Sequence, residues 1–438
     1  MTASHTPAPD VLELEVERPA VGGRMIARHD GRVVLVAGAI PGERVRAAVE
    51  RRRRDLLLAT TVEVVEPSPD RRPVDGDPAC GGRSFAHIAY PRQRALKTAI
   101  VEDAFRRIGG LTLEAPAVIA SPERGYRMRA RLHVTPAGVG FLREGSHDGC
   151  GVGGTGQLLP ATERVVEALS EAAGTLADAG VSTIELAEDL CGGQRALHAV
   201  VAGDLDRAAA RLDRVTGLAG VTGWSAGTGR ADDRRLAGDV WVIDPLSSFL
   251  SAPGAGILSL GRRASSFFQA NRYLVPELVG VVVSLAGHRR VVDLYAGVGL
   301  FALAVAVARD GGVTAVEGDP TMAADLRRNA EPLAPAVEVV HASVEGFLAG
   351  AGDLGDATVI VDPPRAGLSR EARTRLLAGA PRQIVSVSCD VATQARDCRA
   401  LIAAGYRLEA LRILDMFPNT AHVETVVLLT CGPGPGSP

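Results

Sequence analysis

A cysteine stands where an apolar, β-prone run gives way to a stretch of helical character. In "IVSVSCDVATQARDC", residues 384–398, Ile384, Val385 and Val387 alternate with Ser386 and Ser388, and Cys389 and Asp390 follow. A thiol at such a junction is either packing or a nucleophile. As a nucleophile at the mouth of a helix, with Arg365 or Arg396 near, it is expected to have a lowered pKa. A second reactive candidate is Glu424, set among β-branched residues in "ILDMFPNTAHVETVVLL" (413–429). An acid in an apolar strand tends to a raised pKa and can serve as a general base, although an edge strand with a polar face reads the same way. His422, two residues earlier, is expected on the same strand face.

A third candidate is Asp362, at the end of an apolar run in "VIVDPPRAGLS" (359–369). Pro363 and Pro364 make the loop after it rigid, and a rigid acid over a cleft can hydrogen-bond the edge of a base. Arg365 follows the prolines where an aromatic would be wanted to stack a target base for amino methylation.

Ligand-binding chemistry is read from "VVDLYAGVGLFALAVA" (291–306), a strand, a glycine turn and a helix. Gly297 and Gly299 let a backbone approach a ligand closely at the switch point of a sheet. The following strand ends in "AVEGD", placing Glu317 about 20 residues beyond the glycines, where an acid can bind ribose hydroxyls. Phe301 and Ala302 stand where the third glycine of G-x-G-x-x-G would fall, which favours S-adenosylmethionine over NAD.

The elements that must carry these residues follow from patterning. From about residue 262 apolar strands alternate with helices, implying a parallel sheet covered on both faces. Residues 11–68 are short β-prone segments punctuated by glycine turns, as in a small barrel. Residues 69–261 are a linker and a mixed α/β region, with helices expected over 94–110 and around "ATERVVEALSEAAGTLADAG", and a hairpin in "RMRARLHVTPAGVGFLRE". The ends, 1–10 and 434–438, read as disordered tails. The expected fold is α/β: a Rossmann-like domain over 262–433, a mixed α/β central domain and an N-terminal small β-barrel.

The chain has 438 residues, with hydrophobic content of 46% and a net charge of -3, so no global nucleic-acid signature is present. Locally, "ERVRAAVERRRRD" (43–55) and "RGYRMRARLHV" (124–134) are arginine-dense, which suits phosphate contacts and stacking on bases. No apolar run is long enough to span a bilayer and no signal-peptide pattern opens the chain, so a cytoplasmic location is expected. The six cysteines show no framework spacing and are expected to be reduced.

In order along the chain, "FFQANRYL", "DLYAGVGLFAL", "DPPRAGL", "VSVSCDVATQARD" and "DMFPNTAHVETVVLL" resemble the RNA (uracil-5-)-methyltransferase family. The stretch from "DGRVVLVAGAIPGERVRAAV" through "VEVVEPSPDR" resembles the TRAM domain, an RNA-binding barrel that many members carry. The resemblance implies methylation of carbon 5 of a uridine in structured RNA, ribosomal or transfer, with S-adenosylmethionine as methyl donor. It implies Cys389 as nucleophile, Glu424 as base, and Asp362 orienting the ring or facing the cofactor. It also implies that Gln269, Tyr295, Gly297 and Glu317 contact the cofactor. The target uridine is expected to be flipped out of folded RNA, held by the barrel and the arginine clusters, and the protein is expected to be a monomer.

Many members hold an iron–sulfur cluster through C-x5-C-G-G-C and a later cysteine. This chain keeps Cys80, Gly81 and Gly82, but Val74 and Arg83 occupy the first and third cysteine positions. The fourth, expected near "GVGGTGQLLP", is absent, with Cys150 close by. A four-iron cluster needs four thiolates, so no cluster is expected, and Arg83 is expected to replace one contact by a salt bridge or a phosphate contact. Three other functions stay open: methylation of another base, an RNA-binding factor without catalysis, and a dehydrogenase. Nitrogen methylation needs no thiolate, and NAD binding without S-adenosylmethionine binding would mark the last.

Overall fold

The computed structural model describes residues 10–229, 233–287, 290–309 and 311–431. Apart from Asp10, the tails expected at 1–10 and 434–438 lie outside the described residues.

Five strands, Val11–Pro19, Met25–His29, Arg32–Ala37, Arg44–Arg52 and Leu56–Glu66, close into a barrel. Alternate residues point inward, so Leu14, Val16, Met25, Ala27, Val34, Val36, Val45, Ala47, Leu57 and Ala59 form its core. Asp30 and Gly31, both at positive φ, make the two-residue turn between the second and third strands. The arginine cluster at 43–55 is only partly free to hold RNA. Arg44 pairs with Glu13 and Glu66, Arg46 with Glu63 and Arg52 with Asp10, while Arg51–Arg54 are exposed around the hairpin tip.

The central region is a seven-stranded sheet in the order Arg234–Gly238, Gly223–Gly227, Arg195–Val201, Val181–Glu188, Arg129–Thr135, Gly138–Leu142, Gly149–Cys150. One face packs Leu132, Ile184, Leu186, Leu197 and Trp224 under the helices Pro160–Glu171, Ala173–Asp178 and Leu205–Leu212. The other face is polar: Glu185 takes Arg129 and Arg131, and His198 meets Ser225. The second arginine cluster is thereby largely used inside the protein. Arg127 is enclosed by the rings of Phe141 and Phe417, at 5.2 and 5.9 Å, and donates to Gln157.

The C-terminal sheet runs Val337–His341, Val313–Glu317, Val291–Leu294, Thr358–Val361, Gln383–Ser388, Glu424–Cys431, Tyr406–Leu414. The first five strands are parallel, and the last two return antiparallel. Helices Val275–Leu285, Leu300–Ala308 and Pro320–Ala330 cover one face, and Val344–Gly350, Arg370–Ala378 and Val391–Ala403 the other. This is the α/β architecture expected from the alternation of strands and helices.

The helix expected at 94–110 begins earlier, at Tyr90 with Pro91 in its first turn, and runs to Ala104. A π-helical turn, Phe105–Gly109, extends it until Gly110 ends it in the left-handed region. Its buried residues Leu96, Ile100, Val101 and Ala104 share one core with the barrel and with Leu401 of the C-terminal domain. Lys97, fully buried on this helix, bonds Asp415 and the Phe417 carbonyl, the latter at 3.1 Å. The stretch after Cys80 therefore reaches across the fold to the loop that precedes Glu424.

Burial lowers the Lys97 pKa and Asp415 opposes that shift, so the pair survives only if both charges stay together. Lys97→Met leaves a buried carboxylate alone and is expected to cost about 3–5 kcal/mol in denaturant unfolding. Lys97→Met/Asp415→Leu should recover most of that loss. A single variant as stable as the parent would show that the pair does not anchor the helix to the loop.

Candidate active site

The strand ends Leu294, Glu317, Val361 and Ser388 line up along the carboxyl edge of the parallel sheet, where open α/β sheets bind ligands. The turn after Leu294 is tightly specified. Tyr295 adopts φ 62°, rare for a side chain of that size. Gly299 has φ 98°, and a Cβ there would lie 2.6 Å from Leu303 and 2.7 Å from Leu326. Gly297, at φ 57°, has open space where a Cβ would be, and its N–H donates to Glu317 Oε2 at 2.8 Å. Glu317 Oε1 accepts from the Asp319 amide at 2.7 Å. Burial raises the Glu317 pKa, and these backbone donors pull it back.

Asp362, at the tip of the next strand, accepts a hydrogen bond from Gln269 Nε2 at 3.1 Å. The sequence elements holding Gln269 and Asp362 are thus brought together, and both stand beside the glycine turn. The loop after Asp362 is pinned by Asp397, which accepts from the Leu368 amide at 2.9 Å and from Arg373 at 2.8 Å. Arg396 is consumed by Asp397 and the Ala366 carbonyl, so of the two arginines expected near the thiol only Arg365 is there.

Register brings Cys389 and Glu424 together. Ser388 pairs with Thr425 across antiparallel strands, so the next residues outward, Cys389 and Glu424, face each other at the edge. The junction is held by Thr425, whose hydroxyl donates to Gln394 Oε1 at 2.6 Å, while Gln394 donates to the Ser386 carbonyl at 3.0 Å. Asp390 caps the following helix by accepting from the Thr393 amide at 2.9 Å. His422 lies in the loop before the strand rather than on it, edge-on to Phe417 with ring centres 6.3 Å apart. Burial, then the Arg365 charge, pushes its pKa down to about 4, so it is neutral at physiological pH.

The expectation of a low thiol pKa is overturned. Burial foremost, then the negative charge of Glu424, pushes Cys389 up to about 11, although Arg365 beside the sulfur pulls it down. Burial pushes Asp362 up to about 7, against the Gln269 hydrogen bond. Burial and the Asp362 charge hold Glu424 well above the usual carboxylate range, against Arg365. Two acids and a thiol thus crowd together, with the Arg365 guanidinium beside Cys389 and Glu424, and the pair of acids keeps a proton near neutrality.

One acid escaped the reading of the sequence. Asp293, on the strand leading into the glycine turn, is fully buried, and its pKa is raised by burial and then by Asp362. The signal used for Glu424, an acid inside an apolar strand, was present in "VVDLY" as well.

A doubly wound sheet with a glycine turn, an acid at the adjacent strand tip and a half-buried thiol defines a Rossmann-like enzyme domain of the methyltransferase type. A family model described as tRNA (Uracil-5-)-methyltransferase matches residues 261–431, and the TRAM domain model matches residues 10–62. The 23S rRNA (uracil(1939)-C(5))-methyltransferase RlmD of Alkalilimnicola ehrlichii is 35% identical over 435 residues, covering 93% of this chain and 93% of that protein. The RlmD of Pseudomonas putida is 32% identical over 441 residues, covering 96% of this chain and 93% of its own. Among solved structures, Pyrococcus abyssi tRNA (uracil-54, C5)-methyltransferase, in complex with S-adenosyl-L-homocysteine, is similar with a TM-score of 0.71 and 26% identity, covering 95% of this chain and 99% of that one. The chain belongs to the RNA (uracil-5-)-methyltransferase family, and its cofactor is S-adenosylmethionine.

At a pKa of about 11, only about one Cys389 in a thousand is thiolate at pH 8 in the free protein. Alkylation of Cys389 by iodoacetamide should therefore be about a hundredfold slower at pH 8 than at an ordinary exposed thiol, and should still climb with unit slope to pH 10. Arg365→Gln removes the stabilising cation and should slow it further. A rate that levels off below pH 8 would contradict the raised thiol pKa.

Proposed function

We propose that this protein methylates carbon 5 of a uridine in folded RNA through a covalent bond from Cys389 to carbon 6 of the ring. The observation that carries the reading is the meeting of Cys389, Glu424, Asp362 and Arg365 at one sheet edge beside the glycine turn. Carbon 5 of uracil is a poor nucleophile. Addition of the Cys389 thiolate to carbon 6 makes the ring an enolate whose carbon 5 accepts an electrophilic carbon. Bound S-adenosylmethionine supplies that carbon as a methyl group. Glu424 then takes the carbon 5 proton, the ring double bond re-forms, and the carbon–sulfur bond breaks.

The thiol must first lose its proton, which the unprotonated member of the Asp362–Glu424 pair takes and passes to solvent before the carbon 5 step, and Arg365 favours the thiolate. Asp362 orients the uracil edge or faces the cofactor from its rigid loop, tied to Gln269. Gly297, Glu317, Gln269 and Tyr295 hold the cofactor: Glu317 offers carboxylate oxygens at the strand tip, and Gly297 leaves open space above the turn. Phe267, half-exposed two residues before Gln269 and capped by Arg129 at 5.2 Å, offers a stacking surface for a base beside the cleft. The TRAM barrel and the exposed tip Arg51–Arg54 bind RNA phosphates. The substrate we favour is large-subunit ribosomal RNA, because relatives named for it are 35% and 32% identical over more than nine-tenths of the chain, against 26% for the transfer-RNA enzyme. Transfer RNA is the second reading, favoured by the Pyrococcus abyssi structure.

Cys389→Ala should abolish methyl transfer while leaving S-adenosylhomocysteine binding within about threefold by calorimetry. Glu424→Gln should accumulate a covalent protein–RNA adduct, visible as a denaturation-resistant band, because release needs the base. Transfer surviving in the first variant, or no adduct in a folded second variant that binds RNA, would refute the assigned roles. Ribosomal and transfer RNA offered side by side to the parent protein separate the two substrates.

A further inference from the structure

The cluster positions do not suit iron. Cys80 and Cys150, 70 residues apart in sequence, are joined to each other as a disulfide with their Cα atoms 5.8 Å apart. Val74 offers no donor and Arg83 brings a cation to the third position. A guanidinium is never a ligand, and a four-iron cluster needs four thiolates. The expectation that all cysteines are reduced is overturned, because the fold closes a long excursion of chain and brings two cysteines with no framework spacing face to face. Arg83 does not make the salt bridge expected of it. It donates to the Gly154 carbonyl at 2.5 Å and to the Asp75 carbonyl, and forms no salt bridge among the described residues.

We infer that the Cys80–Cys150 disulfide and Arg83 form an iron-free brace that takes over the cluster's place and, through Asn419, steadies the loop carrying Glu424, so that activity depends on the redox state of the two cysteines. The role of Glu424 in this inference rests on the function proposed above; the brace itself does not.

The connections are continuous. On the central-domain side, Gly81 N–H donates to the Leu142 carbonyl at 2.9 Å, and Glu144 N–H to the Ala79 carbonyl at 2.9 Å. Gln157 donates to the Gly81 carbonyl at 2.9 Å. Gly82 has φ 82°, a conformation that favours glycine, and a Cβ on it would lie 2.6 Å from the Gln157 side chain and displace it. On the other side, the Phe85 amide donates to the Asn419 carbonyl at 2.8 Å, and Arg72 donates to Asn419 Oδ1 at 2.7 Å. Gln93 donates to the same oxygen at 2.9 Å and accepts from the Asn419 amide at 2.9 Å. Asn419 needs this grip, since it sits at φ 64°. Five residues later comes Glu424.

Formation of the brace is balanced by thiol–disulfide exchange. Two cysteine thiols reduce one low-molecular-weight disulfide, giving the Cys80–Cys150 bond and two small thiols. Reduction frees the 74–83 turn from Cys150 while the Arg83 and Gln157 bonds remain, so the loop loosens without unfolding.

The test uses the full chain, prepared anaerobically from cells supplied with iron. Iron and acid-labile sulfide should both be below about 0.1 per chain. Alkylation of the denatured protein should mark the four free cysteines, 191, 389, 398 and 431, and all six only after a phosphine reductant. Reduction of the native protein should raise amide hydrogen exchange over 417–424 and lower the methyl-transfer rate about tenfold with unchanged S-adenosylhomocysteine binding. Glutathione disulfide should restore both. Cys80→Ser/Cys150→Ser should show the reduced behaviour and no response to reductant. If that variant fails to fold, the reversible response of the parent protein decides.

Four irons per chain, or exchange over 417–424 indifferent to reduction, would overturn the inference. Iron content and exchange do not require turnover, so failure of the proposed chemistry alone would leave them readable.

Discussion

Three ionisable side chains, Asp362, Cys389 and Glu424, are forced together at one edge of the sheet, with Arg365 as the cation beside Cys389 and Glu424. Burial disfavours every charge that the chemistry needs. The thiol is held protonated, and the acids share a proton near neutrality. Such a site is quiet when empty. Under the mechanism proposed above, a uracil ring and a sulfonium cofactor would each bring polar groups and charge that the free site lacks, and so would shift these balances.

The rest of the molecule serves to hold that crowding in place. The antiparallel return of Glu424–Cys431 beside Gln383–Ser388 sets the Cys389–Glu424 approach by register, and a slip of one residue would turn Glu424 to the opposite face. The loop before Glu424 is gripped from outside the sheet, by Lys97 on Asp415 and by Arg72, Phe85 and Gln93 on Asn419. These grips come from the segment between barrel and central domain, which explains why that segment shares a core with both the barrel and the C-terminal helices.

Much of this was legible in the residues. Short β-prone segments punctuated by glycine turns announced the barrel, and the alternation of apolar strands with helices after 262 announced the parallel sheet. Gly297, Glu317, Asp362, Cys389 and Glu424 were singled out as candidates from residue type and local pattern, and the fold places them along one edge of the sheet. What was not legible depends on distant packing. The Cys389 pKa runs opposite to the expected direction because its burial and the Glu424 neighbour come from tertiary structure. Arg127 reads like a phosphate contact in sequence, yet two aromatic rings from separate segments enclose it. The Cys80–Cys150 bond joins cysteines whose sequence spacing carries no signal. Asp293 is the exception, legible in principle and overshadowed by the glycines that follow it.

The measurement closest to the central claim is a trap with 5-fluorouridine. RNA carrying that base, incubated with the protein and a labelled methyl donor and then denatured, offers no carbon 5 proton for Glu424 to remove, so the ring should stay bound to sulfur. A methylated, denaturation-resistant complex whose crosslinked peptide contains Cys389, absent in Cys389→Ala, is the predicted result. Methyl transfer to ordinary RNA in the same preparation, with no complex on the fluorinated RNA, would contradict the covalent account.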